Sequence, residues 1–345
     1  MVSVQNNPLD PSNFRQFIID SPTQFKTGFE IAKDIRVEGT FDKVTLSGMG
    51  GSALPGNLFR IYLNDIFARN HEYKPLPIYQ NRFYTLPPEA YKNSLNFIAS
   101  YSGNTEETLA AFTEAHEAGL PCVGFSSGGK LEEMCKEWGV PHVKLPMPTP
   151  DFQPRMGTGY LFAAMFQVLI NAELVPDTTS EIITMSNGLT SVLGDYEKRG
   201  EALAQKVKGK TPVVYASSKY KAVAMVWKIK INENAKTPAF YNFFPELDHN
   251  EMIGYTNPQG KFITLMLRDP EDNPRNLLRY DATAGLIGEK GVDAEIIDME
   301  GDTVFQKIFQ TVLLGDFMSY YLALAYNQDP TPVNMVEELK KILAK

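Results

Sequence analysis

Short apolar runs alternate with longer amphipathic stretches along this chain, and the alternation occurs twice. Apolar runs separated by helix-length stretches are typical of βαβ units built around a parallel sheet. In such a sheet, ligands bind where the carboxyl ends of the strands meet helix N-termini. In the first half, the predicted helices include Ala53–Phe67 and Glu106–Ala118, and the predicted strands are Lys43–Ser47, Leu76–Tyr79, Leu95–Ala99, Pro121–Phe125 and His142–Leu145.

The second half of the chain repeats this pattern. Its predicted strands are Pro212–Ala216, Ala239–Phe243, Lys261–Leu267 and Ala294–Met299, and its predicted helices are Lys221–Ala235, Asn273–Glu289 and Asp302–Tyr326. Two long helical stretches, Met156–Leu174 and Ser180–Val207, are expected to link the halves. With 345 residues the chain is long enough for two domains. We therefore predict an α/β fold of two tandem, doubly wound parallel-sheet domains with helices on both faces, residues 1–185 and 186–345.

Composition argues against several classes of partner. The chain has 33 Lys and Arg against 41 Asp and Glu, a net charge of −8, and lacks the basic cluster that binds a phosphate backbone, so we expect no nucleic-acid partner. Its most apolar stretches fall short of the ~18 uninterrupted apolar residues that a membrane span needs. The N-terminus lacks a signal-peptide pattern, which predicts a cytoplasmic protein with no membrane partner. Two cysteines, Cys122 and Cys135, are too few for a disulfide framework and are expected to be free thiols.

A glycine-rich loop follows the first predicted strand. Ser47–Ala53 has the sequence SGMGGSA, which contains G-x-G-x-x-A, a variant of the dinucleotide-binding fingerprint. Such a site usually has an acidic residue after the second strand, where this chain has Gln80-Asn81-Arg82. The missing acid argues against a dinucleotide-dependent oxidoreductase, although Arg82 could face a 2′-phosphate. A tight strand-to-helix turn without a ligand is the other interpretation.

A second loop, Ser100–Thr108, follows the third predicted strand and carries three hydroxyl groups close together. They belong to Ser100, Ser102 and Thr105, while Gly103 permits a sharp turn. The following helix would point free N–H groups and a partial positive charge at the loop, which favours a bound phosphate. Thr105 could instead be a plain helix N-cap. One hydroxyl is enough for a cap, so the three together favour phosphate binding.

These loops carry a resemblance to a known family. GMGGSALPG and SYSGNTEET resemble the two phosphate-side motifs of the sugar isomerase (SIS) family. PRMGTGY, NENAKTPA, FPELDHNE and DPTPVNMVEELK resemble segments of the bifunctional phosphoglucose/phosphomannose isomerases. The resemblance implies that the first domain binds the sugar phosphate through Gly51, Ser52, Ser100, Ser102 and Thr105. It also implies that the groups around the reacting carbons are Arg155, Glu233, His249 and Lys340, with Lys341 as an alternative to Lys340.

The implied activity is aldose–ketose isomerisation through an enediol, which needs one base to move a proton between C1 and C2. Ala222, Val226 and Ile229 precede Glu233 at helical spacing, so the carboxylate is expected at the end of an apolar face, with a raised pKa. A frayed helix end with a solvated Glu233 is equally consistent with the spacing. Glu246 and Glu251 remain rival candidates for the base.

His249 lies in the polar segment ELDHNE and could pass a proton to the ring oxygen when the sugar ring opens. A loop histidine with a structural hydrogen bond is the other interpretation. One histidine among carboxylates is a poor zinc site, so no metal is expected. Arg155 could stabilise the enediolate, and Lys340 could assist His249, although each could also be an ordinary surface cation.

The predicted function is therefore a cofactor-free isomerase that interconverts glucose 6-phosphate and mannose 6-phosphate with fructose 6-phosphate. The alternative is a non-catalytic sugar-phosphate-binding protein of the same fold. The resemblance further implies a homodimer in which His249 acts in the partner's site. It also implies that Thr331, a small residue, leaves room for the intermediate to turn about C2–C3, although Thr331 could equally be the N-cap of the last helix.

Overall fold

The computed structural model describes residues 7–343, which contain eleven α-helices and nine β-strands. The helices are α1 (Phe14–Asp20), α2 (Gln24–Ala32), α3 (Gly50–Arg69), α4 (Glu106–Glu117), α5 (Gly129–Trp138), α6 (Thr158–Asn171), α7 (Thr179–Val207), α8 (Lys221–Asn234), α9 (Pro274–Gly288), α10 (Val304–Ala325) and α11 (Asn334–Leu343). The strands are β1 (Lys43–Gly48), β2 (Ile78–Asn81), β3 (Ser94–Ala99), β4 (Cys122–Ser126), β5 (His142–Lys144), β6 (Thr211–Ser217), β7 (Phe240–Phe244), β8 (Phe262–Arg268) and β9 (Asp293–Asp298).

The strands form two parallel sheets. The first has the order β2-β1-β3-β4-β5 and the second has the order β7-β6-β8-β9. In each sheet the second strand in the sequence pairs on one side of the first strand, and the later strands are added on its other side. Because parallel crossovers are right-handed, this reversal places helices on both faces. The prediction of two doubly wound α/β domains is therefore confirmed.

Two compact units divide the described chain. Residues 20–191 form the first unit, and residues 7–19 together with 192–343 form the second unit. The division thus lies a few residues after the predicted boundary at 185, and the N-terminal segment groups with the second sheet. Asp10 explains this grouping, because its carboxylate accepts hydrogen bonds from the Phe14 N–H at 2.5 Å and from the Tyr320 hydroxyl at 3.1 Å. Arg15 adds a hydrogen-bonded ion pair with Glu197, at 2.6 Å.

Of the two helical stretches expected to link the halves, only one does. Helix α6 is a core helix of the first unit, where the ring of Phe162 stacks on Phe59 with centroids 4.6 Å apart. Helix α7 contains the later of the two points at which the chain passes between the units, at residues 191 and 192. The second strand also begins later than predicted, at Ile78. Pro77 has no N–H to donate, and its carbonyl accepts the Val44 N–H at 2.9 Å just before the ladder starts.

Helix α10 is the most apolar helix in its unit, and by length and composition it could cross a membrane. Its most apolar window has a mean hydropathy of 1.3, but 83% of that window is buried inside the structure. It packs against α8, where the Trp227 indole N–H donates to the carbonyl of Thr311 at 2.8 Å. This is the environment of a core helix.

Candidate active site

The hydroxyl groups predicted to bind phosphate lie at the carboxyl ends of β1 and β3, which are neighbours in the first sheet. The strand order reverses between these two strands, and ligands of doubly wound sheets bind at this switch point. Ser52, in the first turn of α3, is 5% exposed, and its oxygen accepts the Tyr101 N–H at 2.9 Å. A hydroxyl that accepts in this way still carries a proton that it can donate to a ligand.

The loop from Ser100 to Thr105 is organised by its own hydroxyl groups. The side-chain oxygens of Ser100 and Thr105 are 2.8 Å apart, and Ser100 also accepts the Thr105 N–H at 3.2 Å. Thr105 stands at the N-cap position of α4, but its side chain makes no capping hydrogen bond within the described structure. Ser102 is exposed at the tip of the loop. The geometry therefore does not use the Thr105 hydroxyl as a cap, whereas Ser100 is fully buried and supports Thr105.

A neighbouring loop, which sequence reasoning missed, holds this one in place. Gly103 has a φ of +74°, and a Cβ there would lie 1.8 Å from the carbonyl oxygen of Gly128. Ser127 donates to the carbonyl of Tyr101 from its backbone N–H at 2.8 Å and from its hydroxyl at 2.7 Å. The signal that could have found it is the sequence SSGG after the fourth strand, which ends at the same edge of the sheet.

Arg155 is brought to this edge by a close backbone contact. It lies in a short 3-10 segment, Pro154–Met156, and is only 1% exposed. A Cβ at Gly51 would lie 2.9 Å from the Arg155 nitrogen, so only glycine at position 51 lets the two segments meet. The Arg155 Nη1 donates to the Gln153 side-chain oxygen at 3.1 Å. Gly51, Ser52 and Arg155 therefore lie together in the first unit.

Glu233 is the last residue but one of α8, in the second unit, and is half-buried. The end of this helix is well fixed. The Asn234 side-chain amide donates to the Ser319 hydroxyl at 2.9 Å, and the Lys236 ammonium donates to the Glu233 carbonyl at 2.6 Å. These hydrogen bonds argue against a frayed helix end.

The rival carboxylates near His249 are both hydrogen-bonded. Glu251 accepts the Tyr215 hydroxyl at 2.6 Å with one oxygen and the Asn242 amide at 2.5 Å with the other. Burial, reinforced by neighbouring Tyr255, raises the pKa of Tyr215, so that phenol stays a donor. Glu246 is exposed and accepts the Asn250 amide at 2.8 Å.

His249 itself is exposed and ends the 3-10 segment Glu246–His249. The adjacent Asp248 anchors this segment to α9. Its two oxygens accept the Arg279 guanidinium at 2.7 Å and the Thr283 hydroxyl at 2.9 Å.

Glu233 and His249 lie on opposite faces of the second sheet. The crossover from β6 through α8 to β7 runs in one direction across the strand order, whereas the connection from β7 to β8 runs in the opposite direction. Right-handed crossovers of opposite direction use opposite faces. Accordingly, Leu247 packs with Tyr215 and with Tyr280 of α9, in a core cluster on the His249 side. The structure does not bring Glu233 and His249 of one chain together.

The predicted C-terminal residues lie in the second unit. Thr331 is 5% exposed, and its N–H donates to the Asp329 carboxylate at 2.8 Å. Helix α11 begins at Asn334, so the interpretation of Thr331 as its N-cap is wrong. Lys340 is exposed and forms an ion pair with Glu337 at 2.7 Å, and Lys341 next to it is also exposed. Across residues 7–343, no three His, Cys, Asp or Glu side chains are grouped so that they could hold a metal ion.

Comparison with known proteins identifies the class and then the family. The two doubly wound parallel sheets are those of the sugar isomerase (SIS) fold, and residues 196–343 match the family described as the bacterial phospho-glucose isomerase C-terminal SIS domain. A glucosamine-6-phosphate deaminase from Thermotoga maritima shares this fold, with a TM-score of 0.67 and 15% identity over 92% of this chain and 96% of its own.

Curated relatives identify the family within this class. A bifunctional phosphoglucose/phosphomannose isomerase from Caldicellulosiruptor bescii is 34% identical over 344 residues, 95% of this chain and 98% of the relative. A protein of the same name from Aquifex aeolicus is 33% identical over 319 residues, 92% of this chain and 94% of the relative. The chain belongs to the bifunctional phosphoglucose/phosphomannose isomerase family.

Proposed function

We propose that this protein interconverts glucose 6-phosphate and mannose 6-phosphate with fructose 6-phosphate through an enediol. The observation that carries the proposal is the meeting of Ser52, the Ser100–Thr105 loop and Arg155 at the switch point of the first sheet. Hydroxyl and backbone donors at a helix N-terminus suit a phosphate, and a buried guanidinium beside them suits a developing oxyanion. The names of the relatives agree with this chemistry.

In this proposal the phosphate is bound by Ser52, Ser102 and Thr105. Ser100 holds Thr105 in position through the hydroxyl contact at 2.8 Å. Gly51 keeps the first turn of α3 open to the ligand and to Arg155. No lysine is required, because the N-termini of α3 and α4 supply N–H donors and partial positive charge.

Glu233 is proposed as the base that removes and returns the proton between C1 and C2. It is half-buried at the end of a helix whose last turn is held by hydrogen bonds, and the segment NENAKTPA, which resembles a segment of the family, carries it. Arg155 stabilises the enediolate, and His249 opens the ring with the help of Lys340. An isomerisation has no net oxidation, so the proposal needs no redox cofactor, and proton transfer by a carboxylate needs no metal.

We further propose a homodimer in which His249 serves the partner's site. The opposite-face placement of Glu233 and His249 supports this, because the two side chains of one chain are separated by the sheet. Helix α11 supports it as well. Five of its apolar residues are each at least 46% exposed: Met335, Val336, Leu339, Ile342 and Leu343. A second copy of the chain would cover this apolar surface.

We place the protein in the cytoplasm, where phosphorylated sugars and reduced thiols coexist. Cys122 and Cys135 are free and buried in the described structure. Burial raises the pKa of each thiol to about 12, so neither is poised as a reactive thiolate.

A coupled assay tests the function directly. Purified protein is given glucose 6-phosphate or mannose 6-phosphate, and fructose 6-phosphate is measured with and without EDTA. We expect both aldoses to react, EDTA to have no effect, and deuterium from D₂O to enter the sugar at the exchanged carbon. Binding of the sugar phosphates without turnover would instead favour the non-catalytic alternative.

A further inference from the structure

Lys236 occupies an unusual position just after α8. Its φ is +55°, in the left-handed region where glycine is usual, and its side chain folds back onto the helix end. The ammonium donates to the carbonyl of Glu233 at 2.6 Å and to that of Asn234 at 3.3 Å. The last carbonyls of a helix lack intrahelical partners, and a cation there is favourable.

The same ammonium also reaches a segment that is distant in the sequence. It donates to the carbonyl of Pro330 at 3.0 Å, and Pro330 directly precedes Thr331. A single donor group therefore connects the backbone of Glu233 with the segment that carries Thr331. A residue that only terminated the helix would need no contact with Pro330.

We propose that Lys236 is a positioning residue that sets the placement of Thr331 relative to Glu233, and thereby the balance between glucose 6-phosphate and mannose 6-phosphate. The inference rests on the proposed function, in which Glu233 is the base, and on the role beside the C2–C3 bond that the family resemblance implies for Thr331. Small displacements of a reacting group cost much turnover, so a shared anchor for these two residues affects the chemical step more than binding.

Three variants separate positioning from helix termination. Lys236→Gly adopts a positive φ without strain but removes the ammonium, Lys236→Met removes the ammonium and keeps the stem, and Lys236→Arg keeps a cation. A matched control is Arg36→Met, because Arg36 donates to the carbonyls of Lys33 and Ile35 at the end of α2, in the first unit.

The experiment measures kcat and KM on both aldose phosphates, together with hydrogen exchange at the backbone amides of Gln328, Asp329, Thr331 and Val333. For Lys236→Gly and Lys236→Met we expect kcat to fall about tenfold or more, a changed ratio between the two aldoses, little change in KM and faster exchange. Lys236→Arg should have kcat, an aldose ratio and exchange rates close to those of the wild type. Arg36→Met should change none of these three quantities.

Two results would overturn the inference in an active wild-type background. An unchanged ratio and unchanged exchange in Lys236→Gly would make Lys236 a helix terminator alone. Equal losses on both aldoses with a lowered Tm would make its role one of stability. A wild-type protein inactive on both aldoses would instead overturn the proposed function, while the exchange measurement still reports whether Lys236 holds the segment.

Discussion

Gly51 and Arg155 approach so closely that a methyl group at position 51 would lie 2.9 Å from the backbone nitrogen of Arg155 and 3.0 Å from its Cα. The obstacle is backbone, which cannot rotate away as the end of a side chain can. The glycine therefore sets how closely the backbone of Arg155 approaches the first turn of α3. A change at Gly51 should act on catalysis through Arg155.

We expect Gly51→Ala to lower kcat about 10²-fold, because it pushes Arg155 out of position without removing its charge. Steady-state kinetics and circular dichroism check this. The control is Gly188→Ala in α7, where a Cβ meets nothing within 4 Å and the helix should gain stability. Normal turnover of Gly51→Ala would show that Arg155 does not act on the intermediate.

The role of Glu233 as base can be tested against its rivals. Glu233→Gln keeps the shape of the side chain and removes its basicity, so kcat should fall by about 10²-fold or more while sugar-phosphate binding persists. Glu246→Gln, at an exposed carboxylate, should retain turnover. If Glu233→Gln remained active and Glu246→Gln did not, the assignment of the base would be reversed.

The Ser100–Thr105 loop, here called the phosphate loop, gives a third prediction. Ser102→Ala and Thr105→Ala each remove a hydroxyl donor to the phosphate, and a hydrogen bond to a charged group is worth about 1.5–3 kcal/mol, or roughly 10- to 100-fold in affinity. Isothermal titration with fructose 6-phosphate measures this.

Unchanged affinity in Ser102→Ala and Thr105→Ala would leave the loop without a phosphate role.

Much of the fold could be predicted from the sequence because buried parallel strands are short apolar runs. Each of the nine predicted strands overlaps an observed one, and the sheet order follows the expected doubly wound pattern. Helix α5 was not predicted, although Leu131, Met134, Cys135 and Trp138 recur at i, i+3, i+4 and i+7 and pack on one core cluster, so this stripe is a sequence signal that was overlooked. The core position of α6 was missed because uniform apolarity does not reveal which unit buries a helix.

The site could be predicted only in part. The sequence predicts that the hydroxyl groups after β1 and β3 lie close together, because parallel strands end at the same edge of a sheet. The arrival of Arg155 was not predictable from spacing, since it depends on a backbone contact that only the glycine at position 51 permits. Lys236 was missed because its partner carbonyls, at residues 233 and 330, are far apart in the sequence.

The placement of Glu233 and His249 on opposite faces gives a prediction about assembly. Glu233→Ala and His249→Ala should each be inactive, but a mixture that is dissociated and re-paired should recover about a quarter of wild-type activity. In a two-fold dimer, half of randomly formed pairs are mixed, and one of the two sites in each mixed pair is intact.

The measurement for this mixing experiment is activity after re-pairing, with analytical ultracentrifugation to confirm the dimer. Glu233→Ala mixed with Glu233→Gln is the control and should stay inactive. A fully active monomer, or a mixture that recovers nothing while dimers form, would contradict a shared site.

Use of both C2 epimers gives the last prediction. The base must return its proton to either face of the enediol, so the intermediate has to turn about C2–C3, and the small side chain of Thr331 leaves room for this. Thr331→Gln should lower activity on mannose 6-phosphate selectively, by about tenfold or more, whereas Thr331→Ser should keep both activities. Because α11 begins only at Asn334, a selective loss cannot come from a lost helix cap. Thr331 is 5% exposed, so an equal loss on both sugars with a lowered Tm would indicate overpacking and contradict a specificity role.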